Sequence, residues 1–251
     1  MKVYIDAGHN HSGVDTGAVG NGLREQDITY LIASRVEKTL LAKGISVKMS
    51  RNSLTDNVVN GGTVSDSLRA RYSAANNWKA DVFVSIHCNA NNDRNAKGCE
   101  TYAYKKGGDS ERLASCVLSG LLWNTDLKSR GVKTADYAVL RNTTMPAVLV
   151  ETAFISNASD AAFLGSEDGQ RQIAKGIAEG IMEYLGIDYS DMQSKIDDVV
   201  KKVDKLTTPN DIVWELAQRG LVEDKDGMIA EMEKNPNSRL YWLARKIVNK
   251  G

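Results

Sequence analysis

Short apolar runs alternate with helically spaced apolar residues through the first three quarters of this chain. Three of the runs end on a residue able to bind a metal or move a proton. His9 follows Val3-Tyr4-Ile5-Asp6-Ala7-Gly8, His87 follows Val82-Phe83-Val84-Ser85-Ile86, and Glu151 follows Ala147-Val148-Leu149-Val150. Strands alternating with helices require crossover connections, which predicts an α/β fold: a twisted, mainly parallel sheet with helices on both faces. In such sheets ligands and chemistry collect beyond the carboxyl ends of the strands. Two imidazoles and a carboxylate delivered to that edge suit a catalytic zinc site.

The pattern predicts a strand at 2–6, then a helix carrying Ile28, Leu31, Ile32, Val36, Leu40 and Leu41 and closed by Gly44, then a strand over Ile45–Met49. Ser65 can cap a helix carrying Leu68, Tyr72, Ala75 and Trp78, which leads into a strand at 82–86. Weaker strand signals lie at 98–103 and 137–140, and a stronger one at 147–151. A helix is expected at 110–123 and another from Ser159 towards Leu185, making 1–187 one α/β domain. After Gly186 the composition turns polar. Residues 188–207 read as a helical linker, with Ile196, Val199, Val203 and Leu206 at a/d-like spacing over too few heptads for a coiled coil. Pro209 and Asn210 mark a break, and 208–251 form a small helical domain holding Trp214, Tyr241 and Trp242. A core of that size is marginal alone, so it is expected to dock on the main domain or on a second copy.

Composition removes several classes of function. With 32 Lys+Arg against 32 Asp+Glu the formal net charge is zero, which gives no global electrostatic case for nucleic acid or an anionic membrane. No apolar run reaches membrane-spanning length, so no membrane insertion is expected. The three cysteines, Cys88, Cys99 and Cys116, are odd in number and lack metal-type spacing, which argues against a disulfide framework and for synthesis in a reducing cytoplasm. Strand alternation turns Cys88 to the face opposite His87, as buried filler. After Met1-Lys2 a strand pattern begins at once, with no signal peptide, so action outside the cell would need another route of release.

A glycine-rich loop, from Gly8 to Gly22, joins the first strand to the first helix. It carries no phosphate-loop motif, which weakens a nucleotide reading. Its side chains suit a metal better. His9, Glu25 and His87 make a His2Glu set that leaves one tetrahedral position for water. Glu25 also suits a helix dipole at the first turn, and His11 competes with His9 for the inward position. Glu151 ends an apolar strand, where desolvation raises a carboxyl pKa towards general-base range. The plainer alternative is a structural acid bonded to backbone amides, with Arg141 as partner.

The order Asp6-Ala-Gly-His9, Gly22-Leu-Arg-Glu25, Ser85-Ile-His87-Cys-Asn89-Ala90 and Met145-Pro-Ala-Val-Leu-Val-Glu151-Thr resembles the zinc-dependent N-acetylmuramoyl-L-alanine amidases of the type-3 family. Phe154-Ile155-Ser156-Asn157 is similar too, as are Leu68, Arg71 and Asn76, so the resemblance spans about residues 2–186. It implies one Zn2+ held by His9, Glu25 and His87, with Glu151 as catalytic acid/base and Asn89 and Arg141 as substrate-binding residues. The implied reaction cuts peptidoglycan between N-acetylmuramic acid and L-alanine. A zinc peptidase acting within the stem peptide and a silent wall-binding module are the rival readings. His9-Asn10-His11 departs from the glycines usual after the first ligand. The span from Glu100 to Met145 is too short for the blocking helix of divisome members, which places the resemblance nearer phage-lysis, prophage or sporulation enzymes. For the C-terminal helices, wall binding is an analogy, and homodimer or core packing is favoured because aromatic residues at helical spacing are more often core.

Overall fold

The computed structural model describes residues 1–187, and Met1–Leu185 form a compact unit. The linker expected at 188–207 and the helical domain expected at 208–251 lie outside the described residues.

A six-stranded sheet runs in the order β4 (Ser46–Met49), β1 (Lys2–Ala7), β5 (Val82–Asn89), β8 (Ala147–Phe154), β6 (Cys99–Ala103), β7 (Ser129–Thr134). All neighbours pair in parallel except β6 with β8, where Glu100 stands opposite Glu151. The sheet is thus mixed and mostly parallel. A small antiparallel pair, β2 (Val19–Gly20) and β3 (Leu23–Arg24), forms within the glycine-rich excursion. One face is covered by α1 (Glu25–Ala42), α3 (Gly108–Asn124) and α6 (Glu167–Tyr184). The other carries α2 (Val64–Trp78) and the short α4 (Ala138–Arg141), and α5 (Ala158–Gly165) follows β8.

Period-2 alternation sorts the strand residues between these faces. Val3, Ile5, Val82, Val84, Ile86, Val148 and Val150 are fully buried. The intervening Tyr4, Phe83, Ala147 and Leu149 pack with Ala75 of α2 and Val139 and Leu140 of α4. The same alternation turns Asp6, Ser85, His87 and Glu151 towards the α2 side. Cys88 points the other way, buried with its Sγ 3.5 Å from Thr152 Oγ1.

Several elements differ from the sequence expectation. Residues 137–140 are not a strand: Ala138–Arg141 make one helical turn, capped at Tyr137. The strand on that side is β7, whose half-exposed SRGVKT lacks apolar alternation. Thr63, not Ser65, caps α2, in a capping box with Asp66. The helix expected from Ser159 is two helices, parted where extended Ser166 caps α6. Strands β5 and β8 also run on past 86 and 151, so His87 and Glu151 pair within the sheet instead of standing beyond it.

Candidate metal centre

The site is built from three approaches to one point. His9 leaves β1 in a left-handed conformation, φ 68°, and its ring meets that of His87 edge-on, 4.7 Å between centroids. Glu25 opens α1, and His87 rises from β5. His9 Nε2 and His87 Nδ1 each lie 3.1 Å from Glu25 Oε1, and the two ring nitrogens are 3.2 Å apart. Two glycines make the approach feasible. A Cβ on Gly8 would sit 2.5 Å from the His87 ring, and one on Gly17 would sit 2.7 Å from both His9 and Glu25.

The surroundings lock each group in place. Glu25 Oε2 accepts from Ala18 N at 2.8 Å, and Oε1 accepts from Cys88 N at 3.0 Å. His9 Nδ1 lies 3.1 Å from Asp15 Oδ1, while Asp15 Oδ2 accepts from Ser67 Oγ at 2.6 Å and from Arg71 Nη2 at 3.4 Å. Arg71, 1% exposed, also donates to Asp6 Oδ1 at 2.7 Å and Ala7 O at 2.8 Å, and Ser85 holds the other Asp6 oxygen. Burial disfavours ionisation of His9 and Glu25, yet their mutual attraction prevails. His9 is pushed up to about 9 by Asp15 and Glu25, and the two imidazoles hold Glu25 well below the usual carboxylate range.

Three donors from different elements turn inward on one point, and their atoms lie within 4.8 Å of one another. Two imidazole nitrogens and one carboxylate oxygen are the donor set of a catalytic zinc site with an open position. Asp15 supplies the carboxylate that such a histidine uses to fix its tautomer. The residues fit the metal that the resemblance implies.

Glu151 shares a cavity of about 320 Å³ with His9, Glu25 and His87. The residue lies on the cavity wall, but its Oε2 is shut off from solvent and, among the described residues, has no hydrogen-bond partner. Burial, then the Glu25 and Glu100 carboxylates, push its pKa up to about 8 against a smaller opposing pull from His9. Asn89 lines the same cavity and donates to Glu100 Oε1 at 2.6 Å. Arg141 does not reach it: the side chain is exposed on α4 and pairs with Asp136, which also removes it as a partner for Glu151. His11 stands apart, its Nδ1 3.8 Å from Asp27 Oδ1. The cavity wall includes Tyr137 and Leu68, and the weak strand signal at 137–140 gave no hint that Tyr137, which precedes a helical turn, would line it. A larger depression of about 620 Å³, lined by Asn21, Arg94 and Asn157 among others, holds none of the candidate residues.

A family model described as N-acetylmuramoyl-L-alanine amidase matches residues 3–183. The chain belongs to this family. Its relatives include the N-acetylmuramoyl-L-alanine amidase LytC of Bacillus subtilis (strain 168), 39% identical over 184 residues, which are 72% of this chain and 35% of LytC. The endolysin of Bacillus phage SPP1 is 38% identical over 192 residues, covering 74% of this chain and 66% of the endolysin. This chain therefore matches about a third of LytC and just under two thirds of the endolysin. Among solved structures, the catalytic domain of the amidase CwlV from Bacillus (Paenibacillus) polymyxa var. colistinus superposes with a TM-score of 0.66 at 36% identity, over 74% of this chain and 99% of that domain. Among the described residues of this amidase, no helix is long and apolar enough to cross a membrane.

Proposed function

We propose that this amidase hydrolyses peptidoglycan at the amide joining N-acetylmuramic acid to L-alanine, with His9, Glu25 and His87 holding one Zn2+ and Glu151 moving the proton. When bound, zinc supplies Lewis acidity, acidifying a water to a pKa of roughly 7 and polarising the amide carbonyl. Glu25 and His87 are held by backbone and ring contacts, and His9 by Asp15, so the donor set is preorganised. Glu151, raised into the neutral range, accepts the water proton and returns it to the departing amine. The observation that carries this reading is the buried Glu151 Oε2, without a hydrogen-bond partner among the described residues, in the same cavity as three converged donors.

Mass spectrometry of muropeptides incubated with the zinc-loaded chain tests it. New L-alanine amino termini and N-acetylmuramic acid residues with a free lactyl carboxyl are expected, whereas peptide fragments still bound to muramic acid would point to a stem-peptide protease. Glu151→Gln should keep zinc yet lose turnover by about 10²–10⁴-fold, the range for general acid–base catalysis. Asn89 is assigned to the substrate-facing wall. Residues 208–251 are assigned to packing or to pairing of two copies; light scattering of the whole chain reads a dimer, and sedimentation with wall reads the competing role.

A further inference from the structure

Two cations on β7 share a single carboxylate. Arg130 Nε donates to Glu100 Oε2 at 2.9 Å, and the Lys133 ammonium binds the same oxygen. The other oxygen, Oε1, already accepts from Asn89 Nδ2 at 2.6 Å and Tyr102 Oη at 2.8 Å. Glu100 is 2% exposed and its acceptor sites are filled. One cation would neutralise it, so two against one leave a formal surplus of one positive charge. That surplus is accessible, because the Arg130 and Lys133 side chains are 32% and 38% exposed. Both are braced, Arg130 over the Phe154 ring at 4.8 Å and Lys133 over Tyr102 at 5.8 Å. Among the described residues, neither forms an ion pair with another carboxylate.

Strand register sets where this charge lies. Glu100 and Glu151 are directly opposed in the antiparallel pair, so their side chains rise from the same face. Arg130 and Lys133 reach back over β6 to Glu100. Glu100, which both cations bind, therefore stands about one strand spacing, ~5 Å, to the side of Glu151, and Asn89, which lines the cavity, donates to the same carboxylate. One or two residues of extended peptide cover that distance at about 3.3–3.6 Å each.

A muramoyl amide cut beside Glu151 has two arms of different charge. The lactyl carboxyl is consumed in the amide, so the sugar arm is neutral there, while the peptide arm bears carboxylates. We propose that Arg130 and Lys133 form an anion subsite for a stem-peptide carboxylate one residue beyond L-alanine, directing the peptide over β6 and β7. The assignment rests on the amidase reading above.

The test compares two substrates for the zinc-loaded full chain: a muramoyl peptide whose second residue, D-glutamate, keeps a free α-carboxylate, and its D-isoglutamine counterpart. The wild type should favour the free carboxylate by about tenfold in kcat/KM, chiefly through KM, as expected for a charge-assisted contact. That preference should shrink in 0.5 M salt. Lys133→Gln, which leaves Arg130 to neutralise Glu100, should bring the two substrates together, and Lys133→Arg should keep them apart. Equal kcat/KM in the wild type, or a preference that survives Lys133→Gln, overturns the subsite and leaves the amidase reading intact. Cleavage of neither substrate overturns both. The wild-type comparison needs no variant to fold.

Discussion

Asp15 Oδ1 lies 3.1 Å from His9 Nδ1, on the ring nitrogen turned away from Glu25 and His87. That contact holds the proton on Nδ1 and presents the Nε2 lone pair to the cluster. Asp15→Ala should weaken zinc binding about 10–100-fold in a chelator competition. Asp15→Asn, which keeps an acceptor oxygen, should lose less. Equal affinities for all three proteins would remove Asp15 from the site.

Gly8 is held against the His87 ring, leaving no room for a methyl group. Gly8→Ala should displace the imidazole and reduce zinc affinity at least tenfold, at a stability cost of about 1–3 kcal/mol from overpacking. Calorimetric titration with zinc and urea unfolding of the metal-free protein read the two effects separately.

Zinc should also stabilise the fold. At a free concentration about 1,000 times Kd the gain is about 4 kcal/mol. Thermal unfolding should show a rise in midpoint with zinc in the wild type and a much smaller one in Glu25→Gln. A rise of equal size in both would place the bound ion elsewhere.

Burial opposes ionisation of Asp6, but the Arg71 guanidinium holds its carboxyl below the ordinary value. The folded pKa is depressed, so this stabilisation is complete above the unfolded value of about 3.9 and is lost as pH falls towards the folded one. Asp6→Asn should cost about 3 kcal/mol or more near neutrality, because both partners of the pair are buried. Its urea midpoint should fall less steeply than the wild type's between pH 5 and 3. Parallel curves would rule Asp6 out as a source of acid sensitivity.

The central strands are legible because β1, β5 and β8 each carry a short apolar run that leads to a chemistry-bearing residue. Strand alternation likewise turns Cys88 to the face opposite His87, where the structure buries it. Strand β7 was hidden, since its Ser-Arg-Gly-Val-Lys-Thr has polar residues and a glycine where an inner strand has apolar ones. Tyr137-Ala-Val-Leu140 misled because four residues cannot separate a strand from a helical turn by periodicity. The reversal of β6 left no local trace, yet it creates the Glu100–Glu151 opposition. Asp15 lies in a loop where no spacing rule applies, and the pairing of Arg141 with Asp136 depends on a helical turn where the short apolar run predicts a strand.

The positive φ of His9 governs how that position can be probed. Left-handed backbone costs most residues roughly 1–2 kcal/mol, and asparagine tolerates it better than most. Replacement by alanine would therefore mix two losses, an electron pair and a comfortable torsion, in a single number. Asparagine keeps the torsion accessible while deleting the imidazole, so the difference between the two replacements measures what the chain invests in bending there.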